Sequence, residues 1–309
     1  MSTVSEPRYT GFAPIASCHW QGLANILACH PVAEPLRWLG ASWGARWHGD
    51  GILYGGGRWA RQLHTITGID VVQHTAPDGP AAAALELDLT RRGTPFVAEV
   101  DAFHLPSPYQ GREHVVHTVI VTDRGAEHAT IVDSTNNPRP VRLTIDAYQQ
   151  MRSSPCEGRT EPFKLYAPSG ARTARQPTAA VVLDAVVTDL TTHAAADLAA
   201  IRAFTDAHET GSTPVNVCRP AAERFQAALL FDWLAEHDQP GAAGTARTLR
   251  ELSDAWYLVH MLTTHPASTT ARHRRRVTRL LHDAGYGEER LLSTLLAPAR
   301  LRTGKGPTR

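Results

Sequence analysis

The spacing of apolar residues changes twice along this chain, and this limits its fold more than any other sequence feature. Residues 17–30 carry apolar side chains at helical spacing, and helical patterns continue to residue 92. Between residues 94 and 143 the pattern changes to short β-branched segments separated by turn residues, which are typical of strands. From residue 194 onward helical spacing returns. The order predicts an α+β fold in which helices, an antiparallel sheet and further helices follow one another.

These segments predict two domains in a chain of 309 residues. We predict helices over residues 17–30, 58–68 and 80–92, and a glycine-rich loop or hairpin over 49–57. Strands are predicted over 94–100, 114–122, 129–132, 140–143 and 179–189. Later helices are predicted near 194–208, 220–237, 245–264, 267–284 and 288–297. Residues 168–177 have the composition of a linker or domain edge, and we expect a core over 1–189 and a helical domain over 190–309.

Charge and cysteine content exclude several classes of protein. The 31 Lys and Arg residues nearly balance the 30 Asp and Glu residues, so we expect no binding to nucleic acid or to an anionic membrane. Four cysteines without a C-x-x-C pair predict reduced thiols. The first ten residues do not resemble a signal peptide, and Asp184 interrupts the longest apolar run. We therefore expect a soluble cytoplasmic protein.

Cys18 is the first candidate for chemistry because it stands at the predicted start of a helix, after the non-helical segment 11–14. Unpaired backbone N–H groups and the helix dipole favour a thiolate there, although most free cysteines are simply small buried hydrophobes. Cys29 lies eleven residues on, which is about 16 Å along a helix and too far for a disulfide. We expect Cys29, Cys156 and Cys218 to have no role in the chemistry.

His117 and Asp133 stand at the two ends of a predicted hairpin. Because its strands run antiparallel, the two ends lie side by side and Asp133 can reach the imidazole. A carboxylate there would orient the ring and favour the imidazolium that stabilises a thiolate. The alternative is an ordinary surface histidine and a turn aspartate. Together the three residues predict a nucleophile, Cys18, its base, His117, and an orienting group, Asp133.

The order of these residues resembles the papain-like cysteine enzymes, over roughly residues 11–152. The stretch H-T-V-I-V-T-D-R-G-A-E-H-A-T-I-V-D is similar to the leader peptidases of bacteriocin exporters and to the butirosin-type acyltransferases. Three further segments are more similar to the acyltransferases than to the peptidases: C-H-W-Q-G-L-A-N-I-L, R-R-G-T-P-F-V-A-E-V-D and E-H-V-V-H. A helical extension also suits them, and the condensing enzyme of lincosamide antibiotics is a related possibility.

This resemblance implies an amide-forming acyltransferase of natural-product biosynthesis with a papain-like fold. Its partners would be an acyl or peptidyl carrier protein and a small, aminosugar-like amine. No cofactor is implied, since the phosphopantetheine arm enters with the substrate. Papain-like peptidases place Gln about six residues before the cysteine as an oxyanion donor, but this chain has Phe12 there. The backbone N–H of Cys18 can supply one donor, and a second is not assigned.

Other residues are weighed against simpler interpretations. Asp101 and His114, with His104, are expected to line an acceptor pocket, and a solvated loop is the alternative. Trp20 is a candidate pocket wall, although core packing is commoner. No metal site is predicted, because His114 and His117 lie three apart in a strand and so point to opposite faces.

The most concentrated charge lies in one short segment, where a solvated helix face is the simpler interpretation. We predict a docking patch for an acidic carrier protein or for a pantetheine phosphate, formed by Arg272, Arg274, Arg275, Arg276 and Arg279. Two other functions stay open: a cysteine peptidase or amidase with the same triad, and a non-catalytic binding module in which Cys18 belongs to the core.

Overall fold

The computed structural model of the chain describes residues 17–30, 32–159, 161–169, 175–209, 215–264 and 270–297. Its helices in these ranges are α1 (Cys18–Leu27), α2 (Pro35–Leu39), α3 (Trp59–Thr67), α4 (Gly79–Arg91), α5 (Ile145–Ser153), α6 (Ala179–Ala207), α7 (Cys218–Glu236), α8 (Ala242–Thr264) and α9 (Ala271–Leu296). Its strands are β1 (Arg46–Trp47), β2 (Leu53–Tyr54), β3 (Asp70–Thr75), β4 (Phe96–Asp101), β5 (Val116–Arg124), β6 (His128–Asp133), β7 (Asn137–Thr144) and β8 (Lys164–Ser169). A mixed α and β chain with an antiparallel sheet and C-terminal helices is confirmed.

Residue contacts divide the chain into two units, but not at residue 189. The first unit contains residues 1–36 and 67–176, and the second contains 37–66 and 177–309. The expected boundary at 189/190 falls inside α6, because the strand predicted over 179–189 is wrong. The buried residues Val182, Ala185, Val186 and Asp189 recur at helical spacing, and the Thr178 side chain caps the helix at Val181.

The first unit is built on a six-stranded antiparallel sheet with the order β3-β8-β4-β5-β6-β7. Strand β4 is buried at every position, including the carboxylates of Glu99 and Asp101. Helix α1 contacts β4, β5 and β8. Gly22 permits this approach, since a Cβ there would lie 3.2 Å from Val97 Cγ2. The N-terminus of α1 is thereby brought to the start of β5.

The second unit packs the hairpin of β1 and β2 and the helix α3 with the C-terminal helices α6 to α9. Its interior contains two groups of paired charges. Arg58 pairs with Asp189 at 3.1 Å and with Asp197 at 2.7 Å. Arg224 pairs with Glu288 at 2.7 Å, and Trp256 Nε1 donates to the same carboxylate at 2.9 Å. Each of these carboxylates is buried, so the pairing offsets the cost of removing its charge from water.

Helix α9 is continuous where two helices were predicted. Gly285 and Gly287 lie within it, and a Cβ at Gly287 would lie 2.6 Å from Leu252 Cδ2 of α8. Glycine at this position is therefore explained by close packing of the two helices and not by a break between them.

Helix α6 contains the apolar run that Asp184 was expected to interrupt. Its 29 residues continue through Asp184, and by length and composition alone it could cross a membrane. Core helices of water-soluble proteins pass the same test. In this unit α6 presents the buried carboxylates Asp189 and Asp197 to Arg58.

Candidate active site

Cys18 occupies the first position of α1, as the sequence predicts. Ser17 caps the helix, and its side chain accepts from the backbone N–H of Trp20 at 3.5 Å. The first-turn N–H groups of a helix have no partner within the helix, so the thiol lies at an electropositive end. Cys18 is a half-buried residue, and its thiol interacts with His117 and with both the side chain and the backbone of Thr118.

His117 and Asp133 meet at the start of β5 and the end of β6. His117 Nε2 lies 3.0 Å from Asp133 Oδ1, and both side chains are buried. This contact engages one ring nitrogen with the carboxylate, which leaves Nδ1 as the ring nitrogen for Cys18. The three residues thus form a thiol, imidazole and carboxylate series within one unit.

Asp133 is itself held by the turn that follows β6. Its Oδ1 accepts from the backbone N–H groups of Thr135 and Asn136 at 3.0 and 3.1 Å, and its Oδ2 accepts from Asn136 Nδ2 at 3.0 Å. Burial raises the pKa of Asp133, but these bonds and His117 outweigh burial and lower the pKa. The carboxylate therefore stays charged and keeps its position beside the ring.

The thiol and the imidazole stabilise each other's charged forms. Burial raises the pKa of Cys18, but His117 and Thr118 outweigh it and lower the pKa to about 7. Burial lowers the pKa of His117, but Cys18 and Asp133 outweigh it and raise the pKa to about 10. Near neutral pH the pair is therefore disposed to exist as thiolate and imidazolium, the reactive form of a cysteine nucleophile.

The other three cysteines lie in environments of the opposite kind. Burial raises the pKa of Cys29 and of Cys218 to about 11, and it also raises the pKa of Cys156. Of the four cysteines, all of which are described, Cys18 is the one with a lowered pKa. The lowered pKa of Cys18 agrees with the position of this residue at a helix N-terminus beside a histidine.

The remaining predicted pocket residues separate into two groups. Asp101 and His114 come together, with His114 Nδ1 2.7 Å from Asp101 Oδ2. Trp20 is only 3% exposed and packs edge-to-face on His19, so little of its surface is free to meet a substrate. Phe12 and the segment 11–14 lie outside the described residues.

Sequence reasoning missed several groups around the triad. Thr118 contributes to the thiol environment, and Asn136 holds Asp133. The ring of Tyr109 lies 6.4 Å from that of His117, on an exposed segment between β4 and β5. The position of Asn136, three residues after Asp133, was the available signal, since such pairs commonly close turns. No sequence signal pointed to Tyr109, because its position depends on the path of the loop between β4 and β5.

The arginine patch is narrower than predicted. Arg272, Arg275, Arg276 and Arg279 are exposed and recur at helical spacing, so they share one face of α9. With Thr270 and His273 they line a groove of about 790 Å³. Arg274 lies off this face and is half-buried. We call the four exposed residues the arginine stripe.

Comparison with known proteins identifies no family, since no protein-family model and no curated protein matches this chain.

Proposed function

We propose that this chain is a cysteine-dependent acyltransferase with a papain-like core, similar to the butirosin-type enzymes. It would move an aminoacyl group from a carrier-protein thioester, through Cys18, to the amine of a small acceptor. The observation that carries the proposal is the place of Cys18 at a helix N-terminus, beside a histidine whose Nε2 lies 3.0 Å from a buried aspartate. The lowered pKa of Cys18 agrees with this geometry. This combination is what a nucleophilic thiolate needs.

The first half of the reaction forms an acyl-enzyme. The Cys18 thiolate attacks the thioester carbonyl, a new C–S bond forms, and the carbon bond to the pantetheine sulfur breaks. The pantetheine thiolate leaves and can take a proton from the His117 imidazolium. The backbone N–H of Cys18 is suited to stabilise the developing oxyanion, since it lies in the first turn of α1.

The second half transfers the acyl group. The acceptor amine attacks the acyl-enzyme, its C–N bond forms, and His117 takes the proton that the nitrogen loses. The C–S bond to Cys18 breaks and the thiolate returns to its place beside the imidazolium. Asp133 holds His117 throughout and takes no proton.

A thioester is favoured over a peptide as the first substrate. A thiolate leaves without prior protonation and a thioester carbonyl is already activated, so less oxyanion stabilisation is required. Phe12 occupies the position at which papain-like peptidases carry a glutamine donor. A peptidase or amidase with the same triad is the rival, and it would need no carrier protein. A free thiol nucleophile also suits the reducing cytoplasm, which we propose as its location.

Intact-protein mass spectrometry with aminoacyl pantetheine and aminoacyl carrier-protein thioesters tests the proposal. The wild-type protein should gain one acyl mass, which an amine should remove faster than water does. Cys18→Ala should gain none, whereas the matched control Cys29→Ala should behave as wild type.

Each rival predicts another outcome. Acylation followed by equal release to water, with or without an amine, would indicate a hydrolase. Absence of any adduct on the wild-type protein, together with slow alkylation of Cys18, would favour the binding module and overturn the cysteine mechanism.

A further inference from the structure

Three potential metal ligands converge at the end of β4, in a group that the reaction above does not use. The carboxylate of Asp101 and the imidazoles of His104 and His114 offer ligand atoms that all lie within 4.8 Å of one another. His114 Nδ1 lies 2.7 Å from Asp101 Oδ2, and His104 Nε2 lies 3.9 Å from the same oxygen. The sequence spacing excluded His114 and His117 as a chelating pair, but His114 and His104 approach each other through a loop.

The backbone fixes where these three side chains begin. Asp101 is the last residue of β4, and a short 3₁₀ turn over Ala102–His104 follows it directly. Ala102 N–H donates to Val115 O at 2.9 Å, which closes the loop next to His114. Glu157 N–H donates to His114 O at 2.8 Å. These main-chain hydrogen bonds hold the backbone segments from which Asp101 and His114 project.

Further contacts orient the ligands. Asp101 is fully buried, and its Oδ2 accepts from Ser154 Oγ at 2.7 Å while its Oδ1 accepts from the backbone N–H of Phe103 at 3.0 Å. The ring of Phe103 stacks on that of His114, with centroids 4.0 Å apart. A buried carboxylate that accepts two further hydrogen bonds, beside an imidazole held by ring stacking, has the kind of outer support that metal sites use.

We propose that Asp101, His104 and His114 bind a divalent transition-metal ion of the zinc type. Two imidazole nitrogens and one carboxylate oxygen suit Zn²⁺, whereas Mg²⁺ and Ca²⁺ prefer oxygen ligands throughout. The side chain of His114 is 51% exposed, so an ion has a path to the site and a fourth position open to water or substrate. On binding, the ion takes the place of the hydrogen bond between His114 Nδ1 and Asp101 Oδ2.

Such an ion would also tie down the loop that bears Tyr109. The ligands lie at both ends of the segment that joins β4 to β5, and the Tyr109 ring within it is 6.4 Å from that of His117. The metal proposal does not depend on the cysteine mechanism, and its test needs no turnover.

The test titrates the full-length, chelator-treated protein with Zn²⁺ by calorimetry and with Co²⁺ by visible absorption. We expect one equivalent of each ion, with Co²⁺ bands typical of four or five ligands. His104→Ala and His114→Ala should each weaken binding at least about tenfold. His128→Ala, a partly exposed histidine of β6, is the matched control and should bind as wild type. Asp101→Asn, which keeps the shape of the buried side chain, should also weaken binding.

Three outcomes would overturn the assignment. One is the absence of stoichiometric binding by the wild-type protein. Another is binding that survives in both histidine variants. The third is the intense charge-transfer absorption of a cobalt thiolate, which would place the ion on a cysteine such as Cys18.

Discussion

At the scale of single residues, one histidine separates Cys18 from the other cysteines. All four cysteines are half-buried residues, so the exposure of the residue does not distinguish them. The neighbouring groups differ. Burial raises the pKa of both thiols, but at Cys18 the charge of His117 and the hydrogen bonds of Thr118 outweigh it and lower the pKa to about 7, whereas the pKa of Cys29 is raised to about 11. Reactivity of a thiol follows its thiolate fraction, so this local difference decides which sulfur can react at neutral pH.

The rate of Cys18 alkylation should therefore depend on pH in a defined direction. Because the thiol pKa is about 7, the rate with iodoacetamide should be near half-maximal at neutral pH, fall about tenfold per unit below it, and level off above pH about 8. His117→Ala removes the imidazolium that lowers this pKa, so the midpoint should move to higher pH. Mass spectrometry of the modified peptide measures both profiles.

A variant in which Cys29, Cys156 and Cys218 are all alanine is the control and should keep the wild-type profile. If His117→Ala left the midpoint of Cys18 unchanged, the proposed thiolate–imidazolium pair would be wrong.

At the scale of elements, Arg58 joins the start of α3 to the long helix α6. Its guanidinium contacts Asp189 and Asp197, which lie eight residues apart and so share one face of α6. Trp43 O accepts from the same guanidinium at 3.3 Å. One side chain thus unites residues 37–66 with helices more than a hundred positions later. This explains why that segment belongs to the second unit.

Loss of Arg58 should be much more costly than loss of its exposed neighbour Arg61. Arg58→Met leaves the buried Asp197 without its cation and Asp189 with only the exposed Arg61 at 3.8 Å. We expect a loss of about 3–5 kcal/mol in the free energy of unfolding. Arg61 lies 3.8 Å from Asp189 with its side chain 62% exposed, so Arg61→Met should cost less than about 1 kcal/mol. Urea unfolding followed by circular dichroism measures both, and equal losses would contradict this account of α6.

At the scale of the whole molecule, a chain with nearly balanced charge still carries a concentrated cationic surface on α9. The 31 basic and 30 acidic residues leave little net charge. The arginine stripe places four cations on one face of α9. The proposed triad belongs to the first unit and the stripe to the second. We propose that the stripe receives the acidic carrier protein and that the triad performs the acyl transfer.

Charge reversal should separate docking from chemistry. Changing Arg275 and Arg279 to Glu should raise the apparent KM for a carrier-bound substrate on the order of tenfold at low salt, since each exposed pair contributes up to about 1 kcal/mol. Added salt should shrink the difference, because screening acts over about 8 Å at physiological ionic strength. A small pantetheine thioester lacks the carrier surface and should react unchanged.

The matched control reverses Arg247 and Arg290, which are exposed in α8 and α9 outside the stripe. Its kinetics should equal those of the wild type with both substrates. Equal KM values for the stripe variant and the wild type, at low and high salt, would leave the stripe as an ordinary solvated face.

The sequence by itself determined the features that depend on local spacing. The helix start at Cys18, the strand β4 and the hairpin that joins His117 to Asp133 follow from periodicity and short connections, which act within a few residues. The predicted strand over 179–189 was wrong because an apolar run of that length fits either element, and only burial on one side of α6 decided it.

Only the tertiary structure decided which distant segments meet. Arg58 faces Asp189 and Asp197, and residues 37–66 join the later helices, because packing brings together charges that no short-range pattern relates. In the same way, the loop between β4 and β5 places His114 close to Asp101 and His104. Local preferences specify the elements of this protein, whereas the burial of apolar surface and the pairing of buried charges select how those elements are combined.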